Sequence, residues 1–449
     1  MVEISRSLLL IALVTVVAAN RVYVHPFGLF ALGNGSCKNT EAPAAAPLET
    51  VPLASIEDGV EPDPLYANTE QKGNVTQTTA VLAQLLNFLG QRLYNVLRAQ
   101  KAPNALFSPV EAYGALVTFY LGAWGDTASQ LQKLLGLESE TASADCLSQF
   151  DGHKVLRTLR YINGLIDGTT DELRTQAWVF SAANLSESFV RGVWEFSDTS
   201  YTRAVDISQS MRAQSQLNDF MEKTSPWKTK LLFQDINSTS DLLFASSMHF
   251  KGKWRTMFRP EATSLQEFWI DDKTSVTVPL MTHKGIYSYL DDKRRKCTVL
   301  KLPLSRHAYM LLVLPYEGAQ MDTIEDKLTV HISEWTQHLK EGLLEVSLPK
   351  LSLNVVNDLQ SILTNLGLPS LLGTGANFSH LSRKENFTVG EVLNEVVFET
   401  SEEGSEQQDE PKGAEAAMKL TVDRPFCFAI VEESSSALLL LGRIGNPVK

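Results

Sequence analysis

The second half of this 449-residue chain is a succession of apolar runs with no polar beat. CTVLKLPL (297–304), AYMLLVLP (308–315), RPFCFAIVEES (424–434) and SALLLLGRIGNP (436–447) are β-branched, aromatic or continuously apolar, and each is bounded by Pro, Gly or charge. A strand with one wet face alternates polar and apolar side chains. These do not, so at least one sheet is predicted to be covered on both sides. Further strands are read in TQAWVFSAAN, DLLFASSMHFKGKW, SVTVPLMTHKGIYSYL and GLLEVSLPKLSL. One helix is read among them, in VVNDLQSILTNLGLP. The first half reads differently. Leu82, Leu85, Leu86, Leu89, Leu93, Val96 and Leu97 recur at helical spacing, and FSPVEAYGALVTFYLGAWGDTASQLQKLLGL gives a Pro-started helix, a Gly-rich turn and a second helix. Helices first and strands later predict one large α+β domain over 80–449, built on antiparallel sheets.

Ahead of that domain, residues 1–19 read as a secretory signal. Arg6 gives a weakly basic start, Leu8 to Val17 form a short apolar core, and Val17-Ala18-Ala19 precedes the cut. The apolar run is too short to span a membrane, and no longer uncharged run follows, so the chain is expected to be exported. A net charge of −12 argues against nucleic acid or an anionic membrane as partner. Six N-x-[ST] sequons, at Asn34, Asn74, Asn184, Asn237, Asn377 and Asn386, fit a secreted glycoprotein. Residues 30–79 are rich in Pro, Ala, Glu and Thr and read as an extended tail and linker. Cys297 and Cys427 sit in strand-like runs and read as buried thiols. Cys37 and Cys146 lie in polar surroundings and are the favoured pair for a disulfide, with other pairings open.

No local signature of catalysis is present. G-x-S-x-G, H-E-x-x-H, G-x-x-x-x-G-K-[ST] and G-x-G-x-x-G are all missing. The eight histidines lack metal-ligand spacing, so no metal and no cofactor is expected. A triad built from distant residues is a matter of geometry rather than spacing. The chain is read as not an enzyme.

FSPVEAYGALVTFYLGAWGDTASQL, MHFKGKW, LPKLSL, NFSHLS and the closing RPFCFAIVEESSSALLLLGRIGNP resemble the serpin pattern, in serpin order, over about residues 80–447. That resemblance implies three β-sheets surrounded by eight or nine helices, with an exposed reactive-centre loop before the last strands. An inhibitory serpin inserts its cleaved loop into the main sheet as a new strand. Small side chains are then needed at alternate hinge positions, because one face becomes buried. Glu403, Gly404, Ser405 and Glu406 keep the hinge appearance, but Gln407, Gln408, Asp409 and Glu410 are large or charged. Pro411 removes a ladder hydrogen bond. The body therefore reads as a serpin that has lost the trap.

The segment behind the signal, NRVYVHPF (20–27), resembles the angiotensin peptide hormones. Arg21, Tyr23, His25, Pro26 and Phe27 stand in the hormone's order, whereas Asn20, Val24 and Gly28 depart from the commonest mammalian residues. Val22, Val24 and Pro26 favour an extended backbone, the form an aspartic protease reads. The resemblance implies renin cleavage at Leu29–Phe30, releasing the decapeptide 20–29. A dipeptidyl carboxypeptidase would then cut Phe27–Gly28. The octapeptide would act on a G-protein-coupled receptor through Arg21, Tyr23, His25, Pro26 and Phe27, regulating blood pressure and salt balance. It also implies that Cys37 and Cys146 pair, tethering the tail near the scissile bond. A secreted serine protease inhibitor is the alternative. A carrier of a hydrophobic ligand has no sequence feature in its favour.

Overall fold

The computed structural model describes residues 25–32, 45–46, 48–50, 75–138, 150–166, 173–230, 233–304, 307–406 and 417–448. Ten α-helices lie among them: α1 (Pro26–Phe30), α2 (Val75–Arg98), α3 (Pro109–Tyr120), α4 (Gly125–Leu135), α5 (Gly152–Gly164), α6 (Glu187–Phe196), α7 (Ser210–Thr224), α8 (Met321–Glu325), α9 (Leu328–His338) and α10 (Leu359–Asn365). Two of the ten, α1 and α8, are five-residue turns. The leucine spacing of the first long helix holds, with Leu82, Leu86, Leu89 and Leu93 buried. Next, α3 starts as its sequence directs. Ser108 caps it by accepting from the Glu111 N–H, Pro109 fills the first turn, and all twelve residues are buried. A Cβ at Gly114 would lie 2.2 Å from the Phe196 ring, so only glycine lets α6 pack this close.

Four helices, α6, α7, α8 and α9, stand between the segments read as strands, in stretches where no helix is read from the sequence. Also, α10 is shorter than its reading, because Val355–Asp358 belongs to a strand and Asp358 caps the helix that follows.

Two large sheets carry the body. The six-stranded sheet runs Ser352–Asp358, Val389–Glu406, Leu242–Thr256, Leu173–Ser181, Thr199–Ala204 and Glu49–Thr50. It is mixed rather than antiparallel. Its central seam, Val389–Glu406 beside Leu242–Thr256, is parallel, which the long excursion of chain between those strands permits. The nine-stranded assembly is held together by Ser275–Asp292, eighteen residues long. The start of that strand pairs with Ser264–Trp269 and its end with Cys297–Pro303, so it serves two sheets in turn and brings the principal total to three. Ala308–Pro315 and Phe426–Glu432 are buried at every position, as their unalternating sequences require.

Candidate functional site: a docked peptide bond and a braced hinge

The tail meets the body through α1. The sequence favours an extended segment here, and the described part is a single helical turn instead. Pro26 has the fixed φ that suits a first helical position, and the Gly28 N–H closes the turn on the His25 carbonyl at 2.8 Å. What outweighs the extended preference is Phe30, which is fully buried in the main core. The turn packs against α2 and α5.

Both carbonyls around the Leu29–Phe30 bond are held. The Lys154 ammonium donates to the Leu29 carbonyl at 2.6 Å and lies 5.8 Å from the Phe30 ring centroid. The Asp151 N–H donates to the Phe30 carbonyl at 2.6 Å, and Ala31 forms an antiparallel bridge to Phe150. Phe150 in turn stacks on Tyr120, with centroids 3.9 Å apart. Asp151 also caps α5, accepting from the Lys154 N–H at 3.0 Å. The N-terminus of α5 is thus the dock.

Further along, Ala45–Ala46 pairs with Leu185–Ser186, and Glu49–Thr50 lies parallel to Arg203–Ala204 at the sheet edge. His25, Pro26 and Leu29 are half-buried, and Gly28 is exposed. Asn20, Arg21, Tyr23, Cys37, Cys146, Asn34, Asn74 and Pro411 lie outside the described residues, and Phe27 is described by its backbone alone. Asn184, Asn237, Asn377 and Asn386 are exposed. Cys297 and Cys427 are buried and unpaired, and burial pushes the Cys297 thiol up to about 12.

The hinge is braced at its start. The Trp254 indole N–H donates to the Ser401 carbonyl at 2.7 Å, Lys350 reaches the Glu402 carboxylate at 2.8 Å, and Lys251 reaches Glu403 at 3.2 Å. Burial pushes the Glu402 carboxyl up, but the hydrogen bonds led by Lys350 outweigh it and hold the group below the usual range. A Cβ at Gly404 would sit 2.4 Å from the Met257 nitrogen, so this position takes glycine. Ser405 and Glu406 are exposed, and the Met257 N–H donates to the Glu406 carbonyl at 3.0 Å. Deeper in the seam, Glu395 is fully buried. It accepts from Ser247 on the neighbouring strand, from Asn354 on the other side, and from the Thr229 hydroxyl and Lys230 N–H above. Sequence reasoning singles out neither Lys154, Glu402 nor Glu395. A lone polar residue beside an apolar run carries no sign of its partner.

One cluster has the spacing of a nucleophilic triad. His153 lies 2.9 Å from the Ser188 hydroxyl and 2.7 Å from the Glu195 carboxylate. Glu195 also takes Arg157 at 2.8 Å and Arg191 at 3.1 Å. The Glu195 carboxylate is shared between the imidazole and two guanidinium groups, and the cluster ties α5 to α6. Among the described residues no group of His, Cys, Asp and Glu could hold a metal ion, and no helix is long and apolar enough to cross a membrane.

Comparison with known proteins shows the family. The family model described as Serpin (serine protease inhibitor) matches residues 84–447. The angiotensinogen of Bos taurus is 32% identical over 98% of this chain and 97% of its own length, and that of Homo sapiens 30% identical over 98% and 97%. The protein Z-dependent protease inhibitor of Mus musculus is 31% identical over 81% of this chain and 82% of its own length. Among solved structures, the mouse protein Z-dependent protease inhibitor superposes with a TM-score of 0.73 at 28% identity, covering 84% of this chain and all of that one. Human thyroxine-binding globulin superposes at 0.70 and 25%, covering 82% and 99%. The chain belongs to the serpin family, in the branch formed by the angiotensinogens.

Proposed function

We propose that the chain is a secreted peptide-hormone precursor on a non-inhibitory serpin body. Renin cuts Leu29–Phe30 and releases residues 20–29, a dipeptidyl carboxypeptidase removes Gly28-Leu29, and the octapeptide 20–27 acts through a G-protein-coupled receptor to regulate blood pressure and fluid balance. One observation carries this reading. The likeness to the angiotensinogens covers 98% of the chain against 81% for the inhibitor, and the difference is about the length of residues 1–79. The dock refines it. An aspartic protease reads an extended strand, whereas Leu29–Phe30 is wound into a turn with Phe30 buried. Cleavage then draws on molecules whose tail has left α5.

Incubation of the secreted protein with renin, followed by mass spectrometry, tests the proposal: the peptide 20–29 is expected, and its absence would defeat it. The inhibitor reading has in its favour that one relative named above is a protease inhibitor. Against it stand Gln407, Gln408, Asp409 and Glu410 after the hinge, large or charged where an inserted strand needs small side chains. A detergent-stable covalent complex with a serine protease would establish that reading instead.

A further inference from the structure

The two residues at the docked bond are held unequally. Phe30 is fixed to the body by its buried ring and by the Asp151 N–H on its carbonyl. Leu29 is half-buried, and its carbonyl rests on the Lys154 ammonium at 2.6 Å. Hydrolysis, which rests on the cleavage proposed above, changes the charge at this spot. Water adds its oxygen to the Leu29 carbonyl carbon, the carbon–nitrogen bond breaks, and the Phe30 nitrogen leaves with a proton. The peptide then ends in a carboxylate and the body begins with an α-amine, largely protonated up to about pH 7.7–8.0. The neutral oxygen that Lys154 held has become an anion, and a second cation has appeared one broken bond away.

We infer that the cleaved body carries a binding site for its own product, a peptide ending in a free carboxylate at Leu29. The seat consists of the Lys154 ammonium and the new Phe30 α-amine converging on that carboxylate. Asp151, which caps α5 by accepting from the Lys154 backbone N–H, is an anion on the same turn. Charge-assisted hydrogen bonds are about twice as strong as neutral ones, so the product gains there what the uncut chain lacks. The turn closed by Gly28 on His25 positions Leu29, and the octapeptide ends two residues short of the seat. Trimming after Phe27 therefore also releases the hormone from the body that presented it.

The test uses the cleaved, dialysed protein and fluorescently labelled synthetic NRVYVHPFGL, as the free acid and as the C-terminal amide, read by anisotropy. The acid is expected to bind about tenfold tighter than the amide, the ratio a single strong charged contact produces. The octapeptide is expected to bind weakly, and the intact chain, whose own tail fills the seat, not at all. Lys154→Met is expected to shrink the difference between acid and amide to what the Phe30 α-amine alone supplies, while Lys154→Arg, which keeps the charge, preserves it. Equal binding of acid and amide, no binding of either, or equal binding to the intact chain would each overturn the inference. Failure of the underlying cleavage shows separately. Pro26→Ile, Phe27→Glu and Leu29→Arg together place Ile-Glu-Gly-Arg before Phe30, so a trypsin-like protease of that specificity yields the same Phe30 terminus even if renin cuts elsewhere.

Discussion

Lys154→Met in the intact chain isolates the latch on the proposed scissile bond. Lys154 lies outside the peptide, so the substitution leaves every residue that a protease reads untouched. What it removes is the ammonium on the Leu29 carbonyl at 2.6 Å and the cation 5.8 Å from the Phe30 ring. A hydrogen bond from a charged group contributes about 1.5–3 kcal/mol, and a cation over a ring about 0.5–1 kcal/mol where it is wet. Lys154 is half-buried, and methionine keeps most of its stem against Phe30, so a net loss of about 1–2 kcal/mol is the reasonable figure. If cleavage draws on the undocked tail, the undocked fraction and the cleavage rate rise roughly 5–30-fold. The assay is the initial rate of decapeptide release at substrate concentrations below KM, with a synthetic peptide spanning residues 20–33 as the control that must not change. Thermal unfolding is expected to stay nearly constant, because the dock opens locally. A rate within twofold of the parent, in a folded variant, would refute the dock as a brake on cleavage. A rise just as large in Lys154→Arg would refute the part assigned to the charge.

Three other consequences are open to measurement. Glu395→Gln keeps one accepting oxygen and takes the other away from the buried Ser247 hydroxyl and the Thr229 hydroxyl, at a cost of about 1–3 kcal/mol. Unfolding in fixed denaturant is expected to speed up markedly, and an unchanged rate would show that the seam is held by packing alone. Glu111 is fully buried; desolvation first, then the charge of Asp198, raises its carboxyl well above the usual range. A carboxyl raised by folding favours the native state only while protonated, so stability falls as pH climbs from about 4.3 through the folded value. Glu111→Gln is expected to match the parent below about pH 4 and to exceed it at neutral pH; parallel melting profiles from pH 4 to 8 would contradict this. Gly404→Ala forces a Cβ to 2.4 Å from the Met257 nitrogen, so the strand end peels away and nicking between Glu406 and Met418 quickens in limited proteolysis. Equal nicking would mean that the neighbouring chain yields instead.

The sequence announces some of these features and is silent on others for physical reasons. Unalternating runs such as AYMLLVLP declare buried strands because burial on both faces admits no polar residue, and all eight positions are indeed buried. The parallel seam is not legible, since a strand's sequence does not say which way its neighbour runs. Helix α7 does carry a signal. Ala213, Leu217, Phe220 and Met221 fall at helical spacing and are its buried residues, but they are thinly spread among polar ones. Helix α6 hides better, because Phe189, Val190, Val193 and Phe196 in a ten-residue stretch suit a strand as well.

The tail shows the same division at the scale of one bond. Leu29 and Phe30 look alike in sequence as two apolar residues flanking a cut, and their β-branched, Pro-marked approach favours an extended chain. What separates them is a contact more than a hundred residues away. The N-terminus of α5 supplies a backbone N–H to the Phe30 carbonyl and an ammonium to the Leu29 carbonyl, and the core closes over the Phe30 ring. Local preference for an extended backbone is worth at most a few tenths of a kcal/mol per residue. Burial of a phenylalanine side chain contributes about 1.5–3 kcal/mol. Burial therefore wins, and the segment winds into a turn against its own backbone preference. Under the proposed cleavage, the line between what leaves and what stays falls where side-chain burial becomes complete, at the residue the body holds rather than the residue the peptide ends on.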